Sequence, residues 1–267
     1  MSGFLLNAAF GLYLLGLFHS VVAVVSRKDM FLKVAVASVG TGFLLHTGFL
    51  VYQGIEGAHF PLTNLRESLA FFAWTVSLCF LISYLRYRVT ALGPFLLPVV
   101  AALMLGTTYL ESSPAPAVLN SSWIYFHTIF LFLAYAMFVV TFIAALLYLF
   151  QERELKSKKP KTFYYQLPSL GKLDDLFLRF LISGFCFMTV GLLVGIIWAR
   201  QDWVQGWQRD PTVVVAAATW AIYLLLIYLR LTVGWRGRRA AVISMAGFIS
   251  VLLTFAGASY LGSVHSF

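Results

Sequence analysis

Eight apolar runs, separated by short polar stretches, dominate this 267-residue chain. They lie near residues 4–25, 34–52, 67–85, 91–110, 124–150, 177–198, 212–231 and 240–262. A helix needs roughly 20 apolar residues to cross a bilayer, and each run comes close to that length. In hydrocarbon every backbone N–H and C=O must find its partner inside the spanning structure, which leaves helices as the solution for runs of this kind. We therefore read an all-α integral membrane protein, a bundle of about eight transmembrane helices forming one domain over 1–267. The composition agrees: 61% of residues are hydrophobic and 11% charged, more apolar surface than a soluble domain could bury. Pro94 and Pro98 predict a kink or broken turn in the fourth run. The first residues, MSGFLLNAAF, carry no basic region and no cleavage site, so they read as a retained first span.

Loop charge sets the orientation. Of the 19 Lys and Arg residues, all but Arg66, Arg200 and Arg209 fall on one set of loops. Acidic residues divide evenly between the two sides, so the bias is confined to Lys and Arg, as the positive-inside rule requires. That rule places both termini and the segment before span seven on the outer side. It also accounts for the net charge of +9 without nucleic acid as a partner. The stretch 151–175, QERELKSKKPKTFYYQLPSLGKLDD, reads as a basic inner loop attracted to anionic lipid headgroups. Pro168 and Gly171 break it, and Leu173-Asp174-Asp175 opens the sixth span. Cys79 and Cys186 stand far apart inside apolar runs and form no C-x-x-C pair, which argues against thiol exchange and cysteine-held metal.

Residues 198–211, WARQDWVQGWQRDP, put three tryptophans and four charges into an otherwise oily sequence. Trp203 and Trp207 are four apart, a spacing that a helix would turn to one face, with Arg200, Asp202, Arg209 and Asp210 beside it. Two readings stand. One is an interfacial aromatic belt, which needs no ligand. The other is a wall for a flat apolar ligand carrying carboxylates, which arginine would meet through its bidentate fork. Asp210-Pro211 also has a plain structural reading, an N-cap followed by Pro at the first helical position.

The histidines carry the remaining chemistry. His59, His127 and His265 gather on the outer side with the tryptophan segment, as solvated residues or as axial ligands for haem iron. His46 lies in the outer half of span two and His19 in the inner half of span one. Ionisable residues at such depth are functional candidates, or neutral rings bonded to a neighbouring helix. Asn64, Arg66 and Glu67 either cap span three or line the same cavity. Gly191 and Gly195 read as a close helix contact of the small-x-x-x-small kind. G-x-S-x-G, H-E-x-x-H and phosphate-binding loops are missing from the sequence.

Four stretches, HFPLTNLRESLAF (59–71), LPSLGKLDDLFLRFLISGFCFMTVGLLVGIIWA (167–199), WVQGWQRDP (203–211) and LRLTVGWRGRRAAVISMAGF (229–248), resemble the cytochrome c assembly family of CcsA, ResC and HemX type. The closing LGSVHSF resembles that family's Leu-His-Ser-Tyr. The resemblance implies a multi-pass protein of the bacterial cytoplasmic membrane that presents haem b at its outer face for cytochrome c maturation. We read a chain without bond-making chemistry of its own, or else one component of a haem lyase (cytochrome c synthase) machine, and the resemblance implies apocytochrome c and a second assembly subunit as partners. His127 and His265 fall on the family's two outer histidines, the iron ligands. Trp207, Asp210 and Pro211 fall on its tryptophan-rich motif, and Trp220 on the later tryptophan. Trp203, Arg200, Arg209, His59 and His46 complete the residues expected around the ligand. The chain departs from the pattern in three places. Arg209 stands where the motif has Trp, Thr212–Val215 stand for Lys-Glu-Thr-Trp, and Tyr228 replaces a histidine of the inner haem-entry site. Those departures resemble the HemX side of the family, which implies a second possibility, a membrane regulator or scaffold of early haem synthesis.

Overall fold

A computed structural model describes residues 1–110, 122–157, 167–202 and 207–260, with backbone alone at Thr90, Asp202, Arg209 and 254–260. The described residues are helical throughout, joined by turns. The helices are α1 (Ser2–Ser26), α2 (Asp29–Gly57), α3 (Leu65–Tyr87), α4 (Gly93–Tyr109), α5 (Ser122–Lys156), α6 (Leu170–Asp202), α7 (Pro211–Leu231) and α8 (Arg238–Tyr260). All eight apolar runs are helices. Six of them, α1, α2, α3, α5, α6 and α7, are long and apolar enough to cross a membrane. The protein is a multi-pass membrane protein.

Two expectations change at the helix ends. The basic stretch 151–175 is helical at both margins, because α5 runs on to Lys156 and α6 already begins at Leu170. Gly171 thus sits in the first turn of α6 rather than breaking it. The Lys156 ammonium meets Glu152 at 2.7 Å one turn back, which helps α5 persist into the polar region. Likewise α4 is continuous through Pro98, and the irregular turn precedes it at Thr90–Leu92. Pro94 sits in the first turn of α4, where a missing N–H takes nothing from the ladder, whereas Pro98 lies inside the helix and leaves out one ladder bond.

The chain divides into two compact units, each assembled from two stretches: Met1–Pro114 with Phe150–Leu176, and Ala115–Leu149 with Phe177–Phe267. In the first unit α1 and α2 turn back on each other through two residues, with Arg27 in the left-handed conformation (φ 57°). Lipid offers no hydrophobic drive for helix pairing, so close approach of small residues takes its place. A Cβ on Gly16 would lie 2.6 Å from the Val39 side chain, and one on Gly42 would lie 3.2–3.3 Å from Leu12, Tyr13 and the Ala9 carbonyl. Polar bonds then pin the pair to α3. The Tyr13 hydroxyl lies 3.2 Å from His46 Nδ1 and 3.1 Å from Ser77 Oγ, and Ser77 donates to the Trp74 carbonyl at 2.8 Å. Since Ser77 has one proton to give, Tyr13 donates to Ser77 and accepts from His46 Nδ1–H. His46 is fully buried and its Nε2 lacks a partner. That assignment leaves a lone pair there instead of a buried orphan N–H, the rarer and costlier outcome.

In the second unit aromatic rings fill the spaces that glycines clear. Tyr223 stacks on Phe138 at 3.8 Å, with Gly247 under Tyr223 and Gly184 under Phe138. Trp220 Nε1 donates to Thr189 at 3.0 Å, tying α7 to α6. Gly237, at φ 63°, lets the Tyr148 hydroxyl approach where a Cβ would be 2.7 Å away.

The glycine contacts give a paired test. Gly42→Val overpacks the α1–α2 contact and lowers stability by about 1–3 kcal/mol, whereas Gly40→Val, whose Cβ would meet nothing within 4 Å, leaves it unchanged. Thermal unfolding of the two variants in detergent checks this.

Candidate functional site

His127 occupies the second turn of α5, and its surroundings are built by α6. The His127 ring donates from Nδ1 to the Gly191 carbonyl at 2.8 Å. A carbonyl can only accept, so in the neutral ring the proton sits on Nδ1 and Nε2 carries the lone pair. The ring lies where Gly195 lacks a side chain: a Cβ there would fall 2.5–2.6 Å from Nδ1 and Cε1. Trp198 flanks it, ring centroids 6.4 Å apart and 30° from parallel, and is itself 3% exposed. Gly191 and Gly195 are thus a helix contact, as their spacing predicted, and also a seat for an imidazole. Sequence reasoning missed the seat. The available signal was depth, because both glycines fall at the same end of α6 as Trp198.

The described part of α6 runs to Asp202, and Trp207–Arg209 form a 3-10 turn. The expectation that Trp203 and Trp207 share one face falls on Trp203, which lies outside the described residues, as does His265. Arg200 is exposed on the last turn of α6, where a cation suits the carbonyl end of the helix dipole. The Asp210 N–H donates to the Trp207 carbonyl at 3.1 Å, closing the short turn. The Asp210 side chain is 8% exposed and accepts from the Thr212 N–H at 2.9 Å, capping α7 with Pro211 at its first position. The predicted cap is present. The Arg209 side chain lies outside the described residues.

His59 and His46 belong to the first unit. His59 donates from Nδ1 to the Phe60 carbonyl at 3.0 Å and lines an apolar cleft of about 490 Å³ with Thr47, Leu50, Phe60, Phe71 and Trp74. Beside it, Asn64 accepts from the Glu67 N–H at 3.0 Å, and Glu67 Oε2 accepts from the N–H and hydroxyl of Thr63 at 2.8 and 2.9 Å. Reciprocal bonds of this kind satisfy the first orphan donors of a helix. Arg66 donates from Nε to the Thr107 carbonyl at 2.9 Å. Asn64 and Glu67 thus cap α3, and Arg66 ties it to α4. Among the described residues, His, Cys, Asp and Glu nowhere gather in threes to hold a bare metal ion.

Residues 62–265 match the family described as Cytochrome C assembly protein. The chain belongs to the cytochrome c assembly protein family. The cytochrome c biogenesis protein CcsA of Chlamydomonas reinhardtii is 30% identical over 241 residues, covering 86% of this chain and 67% of that relative. CcsA of Synechocystis is 27% identical over 325 residues, covering 100% and 97%. Among solved structures, the cytochrome c haem lyase CcmF superposes with a TM-score of 0.72 at 16% identity, over 98% of this chain. The chain spans about half of CcmF, 48% of its length, so that likeness speaks for the fold. The family match takes in His127, the tryptophan segment and His265, while His46 and His59 precede it.

The cap can be separated from a charge role at Asp210. Asp210→Ala costs about 1 kcal/mol of stability, while Asp210→Asn, an equally good cap, costs little. A thermal unfolding series checks this; equal losses in both variants would assign the carboxylate charge the larger part.

Proposed function

We propose that this protein holds haem as cargo at the outer face of the bacterial cytoplasmic membrane for cytochrome c maturation. The observation that carries the reading is the seat of His127. Gly195 clears space for the ring, the Gly191 carbonyl fixes its tautomer, and Trp198 sets its tilt. A carbonyl that accepts from the non-ligating nitrogen holds an imidazole ligand in orientation and raises the basicity of the other nitrogen. His265, on the resemblance, supplies the second imidazole. Haem b contributes an iron that accepts imidazole nitrogen and vinyl groups to which apocytochrome thiols can add. Trp207 offers ring surface to an apolar macrocycle, and Arg200 and Arg209 offer charge to its propionates. Asp210 acts on this site indirectly, fixing the start of α7 and the turn that carries Trp207.

In this reading the chain supplies binding and orientation, and a second assembly subunit brings apocytochrome c. The Lys/Arg bias of the loops supports the outward placement of the site. One observation favours a second reading, a HemX-like regulator or scaffold. At the inner end of α7, where the family resemblance has histidine, Tyr228 is 58% exposed and presents a phenol in place of an imidazole. Loss of cytochrome c on deletion supports assembly; raised early haem-synthesis enzyme with normal cytochrome c supports regulation.

Purified from a haem-replete host, the protein is expected to carry a Soret band. His127→Ala with His265→Ala removes or shifts that band, while Tyr228→Phe leaves it in place. A preparation without a Soret band, or a band indifferent to both histidines, contradicts the reading.

A further inference from the structure

The turn between α7 and α8, residues 232–237, gathers charge that the proposed haem site does not use. Arg230, Arg236, Arg238 and Arg239 crowd about it, and the sequence has no Asp or Glu after Asp210. Arg230 is the one that builds the turn. It is 6% exposed, its guanidinium lies over the Phe177 ring at 5.9 Å, and Nη1 donates to the Trp235 carbonyl at 3.2 Å. The Trp235 N–H in turn donates to the Leu229 carbonyl at 3.1 Å, back on the last turn of α7. Gly234 and Gly237 take left-handed conformations, at φ 75° and 63°, and α8 starts at Arg238. The turn is thus a folded frame tied to both helices.

The other three arginines are carried on that frame. Arg236, Arg238 and Arg239 are exposed, and none of them meets a carboxylate among the described residues. The Arg239 guanidinium lies 5.7 Å from the Trp235 ring centre, a cation–π contact that keeps it near the turn. Helix electrostatics do not explain the placement, because Arg238 and Arg239 open α8 and so stand at the positive end of its dipole. Orientation by loop charge does not explain the residue type either, since Lys serves that rule as well as Arg. The stretch 151–175 carries five Lys and one Arg, whereas all four cations here are Arg. Alongside them Leu231 and Val233 are exposed and Trp235 is half-buried. The turn therefore sets a guanidinium edge beside an aliphatic one.

A partner that suits both edges carries phosphate at one end and hydrocarbon at the other. Guanidinium forks match phosphate oxygens two at a time. A soluble phosphate or an acidic protein segment would meet the arginines and leave Leu231 and Val233 unmatched. A zwitterionic phospholipid would bring its own cation into a cluster that has no acid to receive it. We propose that the α7–α8 turn binds an anionic glycerophospholipid, with its phosphodiester on Arg236, Arg238 and Arg239 and its acyl chains along Leu231 and Val233. On the orientation that the Lys/Arg bias supports, the lipid is one of the inner leaflet, where anionic headgroups draw basic segments. The site is separate from the haem reading, and its test does not depend on haem.

The test is native mass spectrometry of the full chain released from nanodiscs of phosphatidylcholine mixed equally with phosphatidylglycerol. The protein is expected to retain phosphatidylglycerol several-fold in preference to phosphatidylcholine. Arg236→Gln with Arg238→Gln and Arg239→Gln abolishes that preference, and Arg236→Lys with Arg238→Lys and Arg239→Lys weakens it several-fold. A control of equal charge loss on the same side, Lys28→Gln with Lys33→Gln and Arg86→Gln, keeps it. All six side chains are exposed, so these replacements leave helix packing alone. Equal retention of the two lipids by the unaltered chain overturns the proposal without any variant, as does an unchanged preference in the Gln triple at the turn. Equal loss in the control overturns a local site and assigns the preference to net charge. Full retention in the Lys triple overturns the guanidinium contact. Displacement of the lipid by glycerol phosphate at matched concentration overturns the part given to Leu231 and Val233.

Discussion

Hydrocarbon gives the backbone no hydrogen-bonding partner, and the whole arrangement follows from that constraint. Each apolar run must satisfy its own N–H and C=O groups as a helix. Once it has done so, lipid gives helices no hydrophobic reason to pair. Pairing is left to surface shape and to a few polar bonds, and both devices recur here. Gly16 and Gly42 bring α1 against α2, and Gly247 receives Tyr223. Tyr13–Ser77 and Trp220–Thr189 then fix which helices meet and at what height. Glycine in these helices is costly to local propensity, but it admits the side chain of a neighbouring turn.

The same device produces the candidate chemistry. His127 enters the space left by Gly195 and spends its Nδ1 proton on a carbonyl of the facing helix. His59 rests on Gly57 and spends its Nδ1 proton on the next residue's carbonyl. In both cases a backbone oxygen chooses the tautomer, which puts the lone pair of the neutral ring on Nε2. His46 shows the contrasting use of a buried histidine, as a donor in a chain through Tyr13 and Ser77 that fixes three helices together.

The helices and several caps were legible in the sequence because they depend on local order. Run length places all eight helices, and Asn64 and Asp210-Pro211 mark the starts of α3 and α7 by residue type alone. Helix ends were less legible. Charged Glu152 and Lys156 prolong α5 beyond its apolar run through a bond that hydropathy does not register. Trp207 stands in a 3-10 turn, a local form that residue spacing alone does not announce. The seats of His127 and His59 were illegible because they join residues whose relation is set by tertiary contact or by a left-handed turn. A glycine pair in α6 announces close packing, but the sequence does not say that an imidazole fills the gap.

The central claim is that His127 is held ready as an axial ligand by α6. The most direct measurement replaces its side chain while keeping its seat. In His127→Gly, externally added imidazole can enter the space beside Gly195 and meet the iron. The account predicts that haem lost or spectrally altered in this variant returns to the wild-type low-spin spectrum with imidazole, and that Gly195→Leu, which fills the space, abolishes the rescue. A His127→Gly protein whose haem spectrum is indistinguishable from wild type before any imidazole is added would contradict it.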